Sequence, residues 1–114
     1  MIDVDEADLI AFFGVLPEPQ SDGEREFFNA PLFRKCHDGL ELHVSISLNF
    51  KDLRIDLKYQ DGKSSILRFA LLELESVNIA PDAENRPWLR ARSHSGNEVA
   101  IRVEPAIELT IQCR

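Results

Sequence analysis

Between Leu40 and Tyr59 apolar and polar residues alternate almost without a break. Leu40, Leu42, Val44, Ile46 and Leu48 interleave with Glu41, His43, Ser45, Ser47 and Asn49. After a polar interruption, Leu53, Ile55, Leu57 and Tyr59 interleave with Arg54, Asp56 and Lys58. A period of two predicts a pair of strands, each with one face on a core and the other in water. The apolar phase passes from even to odd numbers across the interruption, as an antiparallel hairpin requires. With Phe50 and Lys51 at the tip, Leu48 pairs with Leu53, Ile46 with Ile55 and Val44 with Leu57. A slip of one residue would put each of these side chains opposite a polar one, so the register is tightly specified.

The same reading extends to both ends of the chain. Leu9, Ile10, Phe12 and Phe13 make an apolar stripe that Asp3 or Asp5 can cap and that Gly14 and Pro17 stop. This predicts a helix over about residues 4–13, with Glu6 placed for a capping box from Asp3 and Ile2 as a staple. Residues 18–24 are polar and read as a loop. In Arg25–Lys35, Phe27, Phe28, Leu32 and Phe33 call for burial, but Pro31 cannot donate to a ladder, so an interrupted edge strand is expected. His37-Asp38-Gly39 turns the chain into the hairpin. At Gln60-Asp61-Gly62, matched apolar partners favour a three-residue loop with Gly62 left-handed, pairing Ile55 with Leu67 and Leu53 with Phe69. A similar loop at His94-Ser95-Gly96 pairs Ala91 with Val99 and Leu89 with Ile101. Between these turns the phase shifts near Leu71-Leu72 and again near Ser76, which calls for bulges or for two short strands joined by a tight bend. Trp88 opens a further strand; Val99, Ile101 and Val103 form its partner; Pro105 interrupts; Ile107, Leu109, Ile111 and Cys113 end the chain. The expectation is an α+β fold in a single domain, residues 1–114. One N-terminal helix packs on an antiparallel meander of about six to seven strands over residues 25–113.

Charge adds a direction. The net charge is −7, and residues 1–30 hold eight acids against the single base Arg25, while the remainder holds twelve of each. The whole imbalance therefore lies in the first quarter of the chain. A local acidic field repels phosphate and raises the on-rate of basic partners, so it argues against nucleic acid. No apolar run approaches the roughly 20 residues of a membrane span. The start, Met-Ile-Asp-Val-Asp-Glu, is acidic where a signal peptide is basic, so no membrane association and a cytoplasmic location are expected. Cys36 and Cys113 lack metal-type spacing and read as inert, reduced thiols, with Cys113 in the apolar phase of its strand.

Candidate chemistry is thin. His43, Ser45 and Asp56 share the polar face of the hairpin, with Asp56 opposite Ser45 and diagonal to His43. A nucleophilic serine needs an oxyanion hole and usually a strained turn, and a mid-strand serine between Val44 and Ile46 has neither. Cys36 and His37 are neighbours on a strand and point to opposite faces, and no third group orients them. His37, His43 and His94 have no partner at metal-ligand spacing in a recognisable motif, apart from Glu41 beside His43. The five glycines belong to turns or a helix end, so no phosphate loop is present. No catalytic residue, metal or other cofactor is expected. Arg54, Lys58, Arg68, Arg90, Arg92 and Arg102 fall in polar phases, interrupted by Asp56, Glu98, Glu104 and Glu108, as cross-strand ion pairs would be.

Four stretches carry a resemblance. These are Asp8-Leu-Ile-Ala-Phe-Phe-Gly-Val-Leu-Pro-Glu18, the Leu40–Tyr59 hairpin, Leu74-Glu-Ser-Val-Asn-Ile-Ala80 and Ile107-Glu-Leu-Thr-Ile-Gln-Cys113. Together they make the chain look like the small immunity proteins encoded beside bacterial polymorphic toxins, over most of its length and as a pattern of strands. The resemblance implies a non-catalytic protein that neutralises a cognate toxin by occluding its active site. The acidic quarter would then suit a basic, nuclease-type toxin, with Asp5, Asp8, Glu18, Asp22, Glu24 and Glu26 as phosphate mimics. Alternatives are an interaction or scaffold domain of another system, and a small enzyme or ligand-binding protein. Pro31 and Pro105 discourage edge pairing, so a monomer or weak homodimer is expected.

Overall fold

Among the described residues, one α-helix precedes eight antiparallel strands that follow one another in chain order. The structure is a computed structural model; it describes residues 2–61 and 64–113, and the Glu26 side chain lies outside the described set. Helix α1 is Glu6–Phe13; strands β1 (Phe33–His37), β2 (Leu40–Ser47), β3 (Asp52–Tyr59) and β4 (Ser65–Leu71) form one sheet in that order. Strands β5 (Leu74–Pro81), β6 (Pro87–Ser93), β7 (Glu98–Arg102) and β8 (Glu108–Gln112) form a second. The α+β meander is as the sequence predicts, with more strands than the six to seven expected and a division into two sheets. The sheet also starts later, since Arg25–Leu32 contributes no strand.

The helix obeys its local signals at a slightly different place. Asp5, not Asp3, is the N-cap: its carboxylate accepts from the Asp8 amide, and Asp8 reciprocates to the Asp5 amide. This capping box satisfies two of the donors that a helix start leaves open. Gly14 ends the helix at φ 71°, a left-handed cap that glycine adopts without penalty. Leu9, Phe12 and Phe13 turn inward, and Phe13 stacks on Phe33 of β1 with centroids 4.9 Å apart. Ile2, expected as a staple, instead bridges to Val77 of β5.

The apolar phases of both sheets and the helix meet in one core. Leu42, Val44, Ile46, Leu53 and Ile55 come from the first sheet; Val77, Leu89, Val99 and Ile101 come from the second. In the opening hairpin the pairs are Leu42–Leu57, Val44–Ile55 and Ile46–Leu53, two residues from the predicted register. A shift of two leaves every side chain on its expected face, so the core is unchanged while the loop lengthens. The next pair shifts likewise: Leu53 faces Leu71, Ile55 faces Phe69 and Leu57 faces Leu67, with a bulge between Leu57 and Lys58. The predicted left-handed Gly62 lies outside the described residues. In β6–β7 the predicted register is observed, Ala91 on Val99 and Leu89 on Ile101.

The change of phase between Ile66 and Ile79 has a structural cause. The chain leaves the first sheet at Leu71, bends through Leu72 and Glu73, and enters the second at Leu74. Glu73 takes φ 55°, its carbonyl accepts from the His94 amide at 3.0 Å, and the Leu74 amide reaches the Lys51 carbonyl at 2.8 Å. A second irregularity falls between Leu74 and Ser76. Both the bend and the bulge anticipated from the sequence are therefore present. Asp38 and Gly39 join β1 to β2 with positive φ at both positions, 52° and 82°, the geometry whose twist suits a two-residue hairpin.

Candidate functional site

The polar face of the first sheet is not in water, contrary to expectation. Residues 18–32 cross it as a covering segment. The Glu18 and Leu32 backbones bond to each other in both directions at 2.8 Å and close the segment into a loop. A 3-10 turn, Glu24–Glu26, begins where the Glu24 carboxylate accepts from the Ser21 amide at 2.9 Å. Phe28 is buried beneath it, with its ring centroid 6.5 Å from that of His43. The Phe27 ring lies under the guanidinium of Arg68 at 4.7 Å, and its carbonyl accepts from Arg54 at 3.0 Å. Asn29 donates to Asp52 at 2.9 Å. Phe27 and Phe28 thus find their burial against a polar sheet face, and the segment needs no strand.

Charge pairing under this cover is dense. Arg34 of β1 sends Nη2 to both oxygens of Glu24, at 2.9 and 3.1 Å, and lies 3.3 Å from Glu18 and from Glu41. Nε2 of His43 lies 2.6 Å from Glu41 Oε1 and 3.0 Å from Arg34 Nη1. A ring nitrogen that donates to Glu41 cannot also accept from Arg34, and the carboxylate contact is shorter and charge-assisted. Burial raises the Glu24 carboxyl, but the Ser21 amide and Arg34 outweigh it, and the net shift is downward. Glu41 behaves alike: burial raises it, and the hydrogen bond with His43 together with Arg34 brings it below the ordinary value.

The residues that looked most like chemistry are structural. Asp56 sits opposite His43, not Ser45, which faces Arg54. Asp56 is fully buried and accepts from Ser65 at 2.8 Å and Arg68 at 3.0 Å, with Lys58 at 3.6 Å. The Ser45 hydroxyl is buried with no hydrogen-bond partner among the described residues. No base touches it. Cys36 and Cys113 are free and exposed, so Cys113 is not the buried apolar thiol its phase suggests. Among the described residues, no group of three His, Cys, Asp or Glu side chains is placed to hold a metal. Nor is any described helix long and apolar enough to cross a membrane.

The six acids expected to meet a partner fall into different settings. Asp5 and Asp8 cap α1 and remain exposed. Asp22 is fully exposed, with Arg25 at 3.7 Å. Glu18 is half-exposed beside Arg34. Glu24 is largely enclosed, its side chain 11% exposed, and is held by Arg34 and Ser21. The Glu26 side chain lies outside the described residues. Arg34, which organises three of the nearby carboxylates, was missed; its signal was a polar-phase cation directly across from His43.

The basic residues do not gather on one face. Arg54, Lys58 and Arg68 belong to the covered sheet, whereas Arg90, Arg92 and Arg102 stand on the outer face of the second. There a hollow of about 250 Å³ is lined by Asn78, Arg90, Arg92, Ala100 and Thr110 among others. Elsewhere on this sheet Trp88 lies under the guanidinium of Arg102 at 4.9 Å, while its indole N–H donates to Asp82 at 2.9 Å. Asp82 and Glu108 both contact Arg102, and Arg92 lies within 4.0 Å of Glu75 and Glu98. Cross-strand ion pairs of this kind are what the interrupted charge pattern predicts.

No protein-family model matches the sequence, and no curated protein matches it. A solved structure does match the fold: a chain of the contact-dependent growth inhibition toxin–immunity protein complex from Klebsiella pneumoniae 342. The superposition has a TM-score of 0.78 at 18% sequence identity, covering 96% of this chain and 93% of that one. At that identity the match establishes a shared fold.

Proposed function

We propose that this chain is the immunity component of a toxin–immunity pair, a non-catalytic protein that neutralises a cognate toxin by binding it. The observation that carries this reading is the near-complete fold match, end to end in both chains, to a chain of a growth-inhibition toxin–immunity complex. The four stretches that resemble immunity proteins point the same way from the sequence. A non-catalytic role fits the residues of catalytic type: His43 is buried against Glu41, Asp56 is buried among Ser65, Arg68 and Lys58, and Ser45, across from Arg54, has a buried hydroxyl with no hydrogen-bond partner among the described residues. Neutralisation by occlusion needs an exposed, charge-complementary surface, not a reactive group.

The acidic N-terminal quarter is the proposed partner-facing region, and a basic toxin is the proposed partner. Asp22, Glu18, Asp5 and Asp8 are open to solvent and can meet cations directly. Glu24 would act at one remove, since its hold on Arg34 fixes the segment that carries Asp22. Glu26 belongs to the same segment. With a nuclease-type toxin as the proposed partner, the proposed site of action is the cytoplasm, where such a toxin would meet its substrate.

The test is co-expression with candidate growth-inhibition toxin domains, beginning with any that a neighbouring reading frame encodes. Growth rescue and a stoichiometric complex on gel filtration are expected. Charge reversal at Asp5, Asp8, Glu18 and Asp22 should weaken that complex most at low salt. A chain that fails to rescue, or that itself arrests growth, would overturn the reading.

A further inference from the structure

We infer that the groove between the start of α1 and the β2–β3 tip is a docking site for an arginine or lysine side chain of the partner protein. This rests on the immunity reading and assigns the partner a place and a chemistry. The groove holds about 420 Å³. Its floor is core: Leu9, Phe33 and Ile46 are all buried. Its outer wall is Leu48 and Phe50 at the hairpin tip, 41% and 71% exposed. A large aromatic left in water beside an opening onto the core is an unusual surface for an isolated chain and a common one at an interface.

The lining carries one charge. Glu6, in the first turn of α1, is exposed and makes no ion pair among the described residues. Its neighbours Asp5 and Asp8 face the capping box, and of the acids in that turn it is Glu6 that lines this groove. The combination selects one kind of occupant. An acidic side chain would be repelled by Glu6. A purely apolar one would strip water from the carboxylate without replacing it. A cation on a long methylene stem satisfies both halves: the stem lies on Leu9, Phe33 and Ile46, and the head reaches Glu6 beside the Phe50 ring. The acidic excess of residues 1–30 brings such a partner in.

Two experiments test this separately from the immunity reading. In the first, benzamidine, an aromatic cation, is titrated against the isotope-labelled chain, with benzoate as the size-matched anion. Benzamidine should shift the amide resonances of Glu6, Leu9, Leu48 and Phe50 saturably, and benzoate should not. Glu6→Gln and Phe50→Ser, both at exposed positions, should each weaken the titration several-fold. Equal shifts with benzoate, shifts confined to other surfaces, or an unchanged titration in Glu6→Gln would overturn the inference. In the second, Glu6→Lys and Phe50→Ser are measured for binding to the toxin domain that the wild-type chain neutralises in the co-expression test. Each should lose about tenfold or more in affinity. If the wild type binds and both variants bind as tightly, the groove is not the docking site and the immunity reading stands. If the wild type does not bind, that reading fails and the benzamidine titration still decides the chemistry of the groove.

Discussion

Glu24 and Arg34 meet through both carboxylate oxygens, and this contact fastens the covering segment to the edge of the first sheet. Glu24 is largely enclosed and Arg34 is about a quarter exposed. Removing one partner leaves the other poorly solvated and uncompensated, which costs more than the pair itself contributes. Arg34→Ala is therefore expected to destabilise the fold by about 2–3 kcal/mol. Urea unfolding checks this, and an unchanged midpoint would show that water replaces the guanidinium freely.

The same contacts make the protein acid-sensitive. Glu24 and Glu41 both titrate below the ordinary value of 4.5 when folded, although burial alone would raise them. The Ser21 amide, Arg34 and His43 supply the net lowering. A depressed folded pKa means that the unfolded chain takes up protons first. The stabilisation is present above the unfolded value and is lost as the pH falls through the folded one. Stability measured from pH 7 down to pH 3 should decline below about pH 4.5, and Glu24→Gln with Glu41→Gln should flatten that decline. A double variant that loses stability as steeply as the wild type would place the acid sensitivity elsewhere.

Much of this fold is legible in the alternation, and the exceptions share a cause. Period two fixes the face of a residue but is blind to shifts of two, so β2–β3 and β3–β4 keep their faces while their partners move. The β6–β7 turn is tighter and its register was readable. Alternation also reports polar residues without reporting water. Glu41, His43, Arg54, Asp56 and Lys58 look solvated because they are polar; under residues 18–32 they neutralise each other instead. A signal was available, since Asp52, Arg54, Asp56 and Lys58 alternate in sign along β3. Phe27 and Phe28 gave the complementary hint, two aromatics that need burial in a stretch that Pro31 keeps out of a ladder.

Asp5 and Asp8 have a structural role that can be separated from any role in binding. Each satisfies a helix-start amide of the other. Asp5→Ala should cost about 1 kcal/mol, whereas Asp5→Asn keeps the cap and should cost little. If partner affinity depends on charge at this position, Asp5→Asn will weaken the complex while leaving the melting temperature nearly unchanged. Equal loss of stability in both variants would mean that the charge, not the cap, holds the helix start.

Gly14 offers a check on the other end of α1. At φ 71° a side chain is strained, although the nearest atom to an added Cβ would be the mobile Lys35 Nζ at 3.7 Å. The penalty is therefore conformational and not steric crowding. Gly14→Ala should cost about 1–2 kcal/mol, and Gly14→Asn should cost less because asparagine tolerates the left-handed region. Identical losses for alanine and asparagine would point to crowding after all.

Ser45 and Asp56 should respond in opposite ways to removal, and this distinguishes a structural polar face from an active site. The Ser45 hydroxyl is buried without a partner among the described residues, so the fold bears its desolvation and gains no hydrogen bond in return. Ser45→Ala should be neutral or stabilising by up to about 1 kcal/mol. Asp56 is fully buried too, but it answers Arg68, Lys58 and Ser65. Asp56→Ala would leave two cations facing a small apolar gap and should destabilise by about 3 kcal/mol. Asp56→Asn can still accept from Arg68 while its amide N–H turns to the Ser65 hydroxyl, but it loses the charge, so it should fall between. A nucleophile and its acid would instead leave stability level and abolish turnover together. Denaturant midpoints of the three variants, measured beside toxin neutralisation, decide it: Ser45→Ala must retain neutralisation in full, and its loss there would return the hairpin face to the candidate site.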